Sequence, residues 1–215
     1  MAINASAGSS TPRELIPAGM YVARCYKMVY LGMIEEETQW GLKKMPKVII
    51  TWELPNEKKS FKEGEEPKPL VISMEFTLSL ADKAKLRNYL NSWRGKPFTD
   101  AEAKKFDITK LLGQPCLLNI THNTGKKDPS KTYEFIATIT PLMKGQECPA
   151  QINETFEFNF EEAFSWEKFN SFPDFIKDKI KKSDEYGKLE VPASNPATGV
   201  VSTENTATPD IAVPF

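Results

Sequence analysis

"LVISMEFTLSLADKAKLRNYLNSWRG", residues 70–95, changes its period halfway along. Leu70, Ile72, Met74, Phe76 and Leu78 recur at every second position, as in a strand with one buried face. Beyond them Leu86, Leu90 and Trp93 fall on one stripe of a helix. Ser79 with Asp82 has the form of a capping box, and Gly95 stands where a left-handed residue ends a helix. The stretch predicts a strand, a short connection and one amphipathic helix, so the fold turns on what flanks it.

Upstream, "PAGMYVARCYKMVYLG" from Pro17 alternates, with Tyr21, Ala23, Cys25, Val29 and Leu31 on one face and Val22, Arg24, Tyr26, Met28 and Tyr30 on the other. "EEETQWGLKKMP", residues 35–46, reads as turn-like, and "KVIITWEL", residues 47–54, as a second strand with Val48, Ile50, Trp52 and Leu54 sharing a side. Downstream, "TDAEAKKF" is a short helix capped by Thr99 with Glu102. Strands resume as "CLLNITH", with Cys116, Leu118 and Ile120 together, and "TYEFIATIT", with Tyr133, Phe135, Ala137 and Ile139 together. The basic loop "NTGKKDPSK" joins them.

Three strands, a helix and two strands is the order of an OB-fold, a five-stranded barrel with its helix between strands 3 and 4. Other small barrels and sandwiches share that count. The expected organisation is a flexible arm over 1–16, a mainly β OB-fold domain over 17–145, a helical extension packed on the barrel over 146–187, and a disordered tail over 188–215. In the extension Phe172, Phe175, Ile176 and Ile180 have helical spacing, opened by Ser171 with Asp174. The tail, "PASNPATGVVSTENTAT" and onward, is too polar to build a core.

The formal net charge of -1 is unevenly spread: residues 17–145 carry an excess of six positive charges, and 146–187 an excess of five negative ones. A basic body followed by an acidic segment suits a polyanionic ligand. No apolar run is long enough to span a membrane, and the start lacks the pattern of a signal peptide, so a cytoplasmic location is expected. Cys25, Cys116 and Cys148 are far apart with no CxxC, which predicts free thiols and no zinc site.

Nothing in the sequence assembles a catalytic centre. His122 is the lone histidine, and GxxxxGK[ST], GxGxxG and HExxH do not occur. A binding protein without cofactor is therefore expected in preference to an enzyme. Single-stranded nucleic acid asks for cations along the phosphates and rings for unpaired bases. The chain interleaves them. Tyr26, Tyr30 and Trp40 stand near Arg24, Lys27, Lys43, Lys44 and Lys47; Trp93 and Tyr89 stand near Arg87, Arg94 and Lys96; Tyr133 stands near Lys126, Lys127 and Lys131. The rival expectation is an OB-like module that binds proteins through its aromatic helix and tail, the basic excess being incidental.

The blocks "LIPAGMYVARCYKMVYLG", "VIITWELP", "LSLADKAKLRNYLNSWRGKPFT", "FDITKLLGQPCLLNITH" and "PLMKGQECP" resemble the bacteriophage OB-fold single-stranded DNA-binding proteins, over roughly residues 12–185. The resemblance implies coating of single-stranded DNA in replication or recombination, in the host cytoplasm, without catalysis. The ending "PDIAVPF" is similar to the tips of bacterial single-stranded DNA-binding proteins, which close on Pro-Phe and recruit replication and repair enzymes. That likeness implies a partner-binding tip at Asp210, Ile211, Pro214 and Phe215. This tail departs from those tips in having only Glu190, Glu204 and Asp210 as acids.

Overall fold

In a computed structural model, which describes residues 14–39, 41–61, 64–125, 128–160 and 164–189, the chain is mainly β. The strands are β1 (Gly19–Thr38), β2 (Gly41–Lys59), β3 (Lys68–Thr77), β4 (Pro115–Thr124), β5 (Thr132–Thr140) and β6 (Phe156–Phe158). Between β3 and β4 lie α1 (Lys85–Arg94), α2 (Asp100–Lys105) and a 3-10 turn at Ile108–Leu111. After β6 come α3 (Trp166–Asn170), α4 (Asp174–Lys181) and a 3-10 turn at Tyr186–Lys188.

The long strands pair antiparallel in the order β3-β2-β1-β4-β5, and β6 adds to β1 in parallel. The sheet is thus six-stranded and open, and the described residues give no β3–β5 pairing. The two ends of the path meet instead at α1. Tyr89 of that helix packs edge-on against Phe76 of β3 at 5.4 Å and donates its hydroxyl to the Ile136 carbonyl of β5 at 2.7 Å. One apolar core, from Ala23, Ile50, Trp52, Ile72 and Phe76 through Leu118 and Ile139 to Leu86, Leu90 and Trp93, joins all five long strands to the helix.

Bulges decide which side chains enter it. Cys25 pairs with Trp52 but Lys27 with Thr51, leaving Tyr26 as the extra residue of β1. Alternation resumes one place later. Met28 therefore joins Ala23 and Cys25 in the first core, whereas Val29 and Leu31 face the opposite side, correcting the expected single face. In β5 the shift leaves Ala137 unpaired, so Ile136 and Ile139 are buried together while Tyr133 and Phe135 are half-exposed. The segment 35–46, expected as a turn, is mostly paired strand: Glu35 stands opposite Lys44 and Glu36 opposite Lys43, cross-strand charge pairs that suit a hairpin ribbon.

Helix starts also differ from expectation. Helix α1 begins at Lys85, because Ser79 accepts the Ala81 amide hydrogen and Asp82 pairs with Arg87. Gly95 does end it, in the left-handed conformation at φ 67°. Ser171 closes α3 and donates its hydroxyl to the Lys168 carbonyl, and Pro173 starts α4 in its place. The Thr99–Glu102 capping box forms as expected.

A second core lies on the outer face of the sheet. Val29, Leu31, Ile34 and Ile49 are covered there by Phe158, Phe169, Phe172, Ile176 and Ile180. Burying those last five side chains is worth roughly 1.5–3 kcal/mol each. Their sum rivals the total stability of a domain, about 5–15 kcal/mol, so β6, α3 and α4 are part of the fold.

Candidate nucleic-acid interface

The outer surface of β2 and β3, where an OB-type groove would lie, is built from small and charged residues. Thr51 and Ser73 are buried and share a hydrogen bond of 2.8 Å. Glu53, with 0% exposure, accepts from the Ile152 and Asn153 amides at 2.9 and 2.8 Å and from Asn153 Nδ2 at 2.7 Å. Glu75 accepts from Lys179 at 2.6 Å. The extension, not solvent, therefore occupies this face.

That arrangement reassigns several expected DNA contacts. Arg24 donates to the carbonyls of Gly113 at 2.7 Å and Pro149 at 2.8 Å, holding the segment before β6. Lys47 is buried between Glu36 at 2.6 Å and Glu75 at 3.9 Å. Arg87 serves Asp82 and Asp100 as well as the Leu80 and Phe98 carbonyls. Arg94 pairs with Glu102 at 3.1 Å and lies 3.8 Å over the Phe98 ring. Trp93 is 6% exposed, packs on Trp52 and donates to the Pro115 carbonyl, so its ring has no face to offer a base. These are cations and a ring with work inside the fold.

Others stay nearer to solvent. Tyr26 is half-buried, and burial pushes its phenol up to about 12. Tyr30 donates to Glu185 at 3.1 Å and meets Phe160 edge-on. Lys43 is exposed at the far end of the ribbon, and Lys44 beside it pairs with Asp184 at 2.8 Å. Lys131 is exposed and 3.6 Å from Asp128. Tyr133, half-buried beside Gly125, is paired with Asn123, beyond the Gly19–Ile120 end of β1. Lys43 and Lys44 stand opposite Glu36 and Glu35 near the other end of that strand. Lys43 and Lys44 of the first expected group and Tyr133 of the third are thus set near opposite ends of β1. Trp40, Lys126 and Lys127, with the tip residues Asp210, Ile211, Pro214 and Phe215, lie outside the described residues.

A cleft of about 470 Å³ opens beside Met28, Tyr30, Val48, Leu78 and Phe106. Its rim carries Asp107 and Glu157. The hydroxyl and amide of Thr109 hold the Asp107 carboxyl below its usual range, so it is charged near neutrality. Carboxyl groups in the lining disfavour phosphate there.

Lys27, one of the cations expected near Tyr26, belongs to a cluster on the outer face whose other members sequence reasoning missed. Lys27 lies 4.9 Å from the ring centre of Phe156 and 5.2 Å from that of Phe172, and Lys168 lies 5.5 Å from Phe156. The bulge at Tyr26 turns Lys27 outward, and the rings come from β6 and from the turn before α4, far along the chain, so nothing local in the sequence marked the cluster. No group of three or more metal-ligating side chains occurs among the described residues, and no helix among them is long and apolar enough to cross a membrane. No family model, curated protein or solved structure matches the chain.

Proposed function

We propose that the chain is a sequence-tolerant single-stranded DNA-binding protein of the OB-fold type, of the bacteriophage kind its sequence resembles, that coats DNA in replication or recombination. The observation carrying the reading is the strand path β3-β2-β1-β4-β5 with α1 laid across its two ends. It is the connectivity of an OB barrel left open between strands 3 and 5, a fold much used for single strands. Exposed cations with half-buried rings, Lys43 on the ribbon and Lys131 with Tyr133 at β5, support it. In this reading the tip at residues 210–215 recruits other replication or recombination proteins, and no catalytic step or cofactor is involved.

The occupied outer face of β2 and β3 favours a second reading, an OB-like protein-interaction module. Titration with a labelled oligothymidine separates the two. DNA binding should quench intrinsic tryptophan fluorescence and weaken with salt, log affinity falling by about 0.7 per neutralised phosphate against log salt. Absence of any response at low salt rejects the DNA reading. Deleting residues 207–215 should leave oligothymidine affinity within about threefold of the intact chain. Loss of a replication or recombination partner on that deletion, with DNA binding kept, supports the tip's role.

A further inference from the structure

Once Arg24 and Lys47 are spent inside the fold, Lys27 is the cation of β1 that the outer face leaves without a carboxylate. Inward-facing Cys25 and Met28 are separated by two residues, so the bulge places Lys27 against β6, where it pairs with Phe156. Its ammonium rests on the rings of Phe156 and Phe172. Rings attract a cation but accept its three N–H donors poorly. Glu53 accepts from the amides of Ile152 and Asn153, and Glu157 of β6 accepts from Asn159. Burial alone holds the Lys27 pKa below the usual lysine value, with no neighbouring charge acting on it. Lys168 reaches the same Phe156 ring from α3 and uses one donor on the Glu157 carbonyl at 2.8 Å.

We propose that Lys27 and Lys168, converging on Phe156, form a phosphodiester-binding subsite for single-stranded DNA. The subsite rests on the DNA-binding reading above. Two ammonium groups gather at one ring, neither in a salt bridge among the described residues, and they retain N–H donors for phosphate oxygens. Tyr26, next to Lys27 in the bulge, supplies a half-buried ring beside it. The site lies on the fixed junction of β1, β6 and α3, so it needs no displacement of the extension.

The test compares the full chain with Lys27→Met/Lys168→Met, which keeps the alkyl stems, and with Lys27→Arg/Lys168→Arg, which keeps the charge. Oligothymidine affinity is measured across a tenfold rise in salt, with urea unfolding alongside. Losing the one phosphodiester that the two ammonium groups share should lower the salt slope by about 0.7, so the affinity lost over that range shrinks by about fivefold. The arginine variant should keep the parent slope. A parent that binds with a salt slope unchanged in the methionine variant overturns the subsite and leaves the DNA reading standing, the more so if that variant is only less stable. A parent that binds no oligothymidine at all overturns both.

Discussion

Asn153 donates both its backbone amide and its side-chain amide to one oxygen of Glu53, at 2.8 and 2.7 Å, in a place where Glu53 has no exposure to solvent. A buried carboxylate is tolerated only where donors surround it. The loop before β6 supplies them, and so the loop is tied to the middle of β2. Glu53→Ala would leave the amides of Ile152 and Asn153 unpaired, at about 1–3 kcal/mol for each unsatisfied group. Urea unfolding should show a lower midpoint at unchanged slope. A loss under about 0.5 kcal/mol would mean that water replaces the carboxylate.

Lys43 and Lys47 lie four residues apart on β2 and should behave in opposite ways. Lys47→Ala removes the 2.6 Å partner of part-exposed Glu36 and leaves Glu75 to Lys179, and should cost about 1 kcal/mol of stability while leaving the salt slope of DNA binding alone. Lys43→Ala removes an exposed charge and should leave stability unchanged while lowering the slope by about 0.7. Paired measurement of urea midpoint and salt slope checks both. The opposite pattern would place the phosphate path on the face that the extension covers.

Gly32 sits at φ 94° with Ser183 so close that an added Cβ would lie 2.4 Å from the Ser183 Cβ. Only glycine meets both conditions without strain. Next to it, Glu185 accepts the Met33 amide hydrogen at 2.7 Å and Asp184 donates its amide to the Met33 carbonyl. Gly32→Ala should therefore loosen residues 183–189 first, at a cost of about 1–3 kcal/mol. Limited proteolysis should cut there earlier than in the parent. Equal cutting in the two would show that the contact is dispensable.

Tyr26 gives a pH dependence with a defined sign. Its phenol ionises near 12 in the folded chain against an ordinary value of 10, because burial disfavours the phenolate. Between those values the folded state holds the proton that the unfolded state has lost, so stability falls as pH rises through the window and is fully present below 10. The contribution is up to roughly 2–3 kcal/mol. Alkaline unfolding followed by urea midpoint should be flatter for Tyr26→Phe than for the parent. Identical curves would mean that Tyr26 titrates as an exposed tyrosine.

By itself the sequence determined the inward faces of β2, β3 and β4, the stripe on α1 and its stop at Gly95, because each depends on neighbours a few residues away. The capped start of α2 was legible for the same reason: Thr99 and Glu102 satisfy each other's backbone. Tertiary structure alone decided the rest. A bulge is set by the partner strand, so Tyr26 and Ala137 could not be recognised as extra residues from alternation; Val29 and Leu31 beyond the first, and Tyr133 and Phe135 before the second, left the expected face. The fate of a cation depends on which carboxylate or carbonyl the fold brings to it. Arg24 and Lys47 look like Lys43 in sequence, yet they are held by Pro149, Gly113, Glu36 and Glu75. Lys27 shared its surroundings with the other cations in sequence, and only the parallel pairing of β6 set it over Phe156.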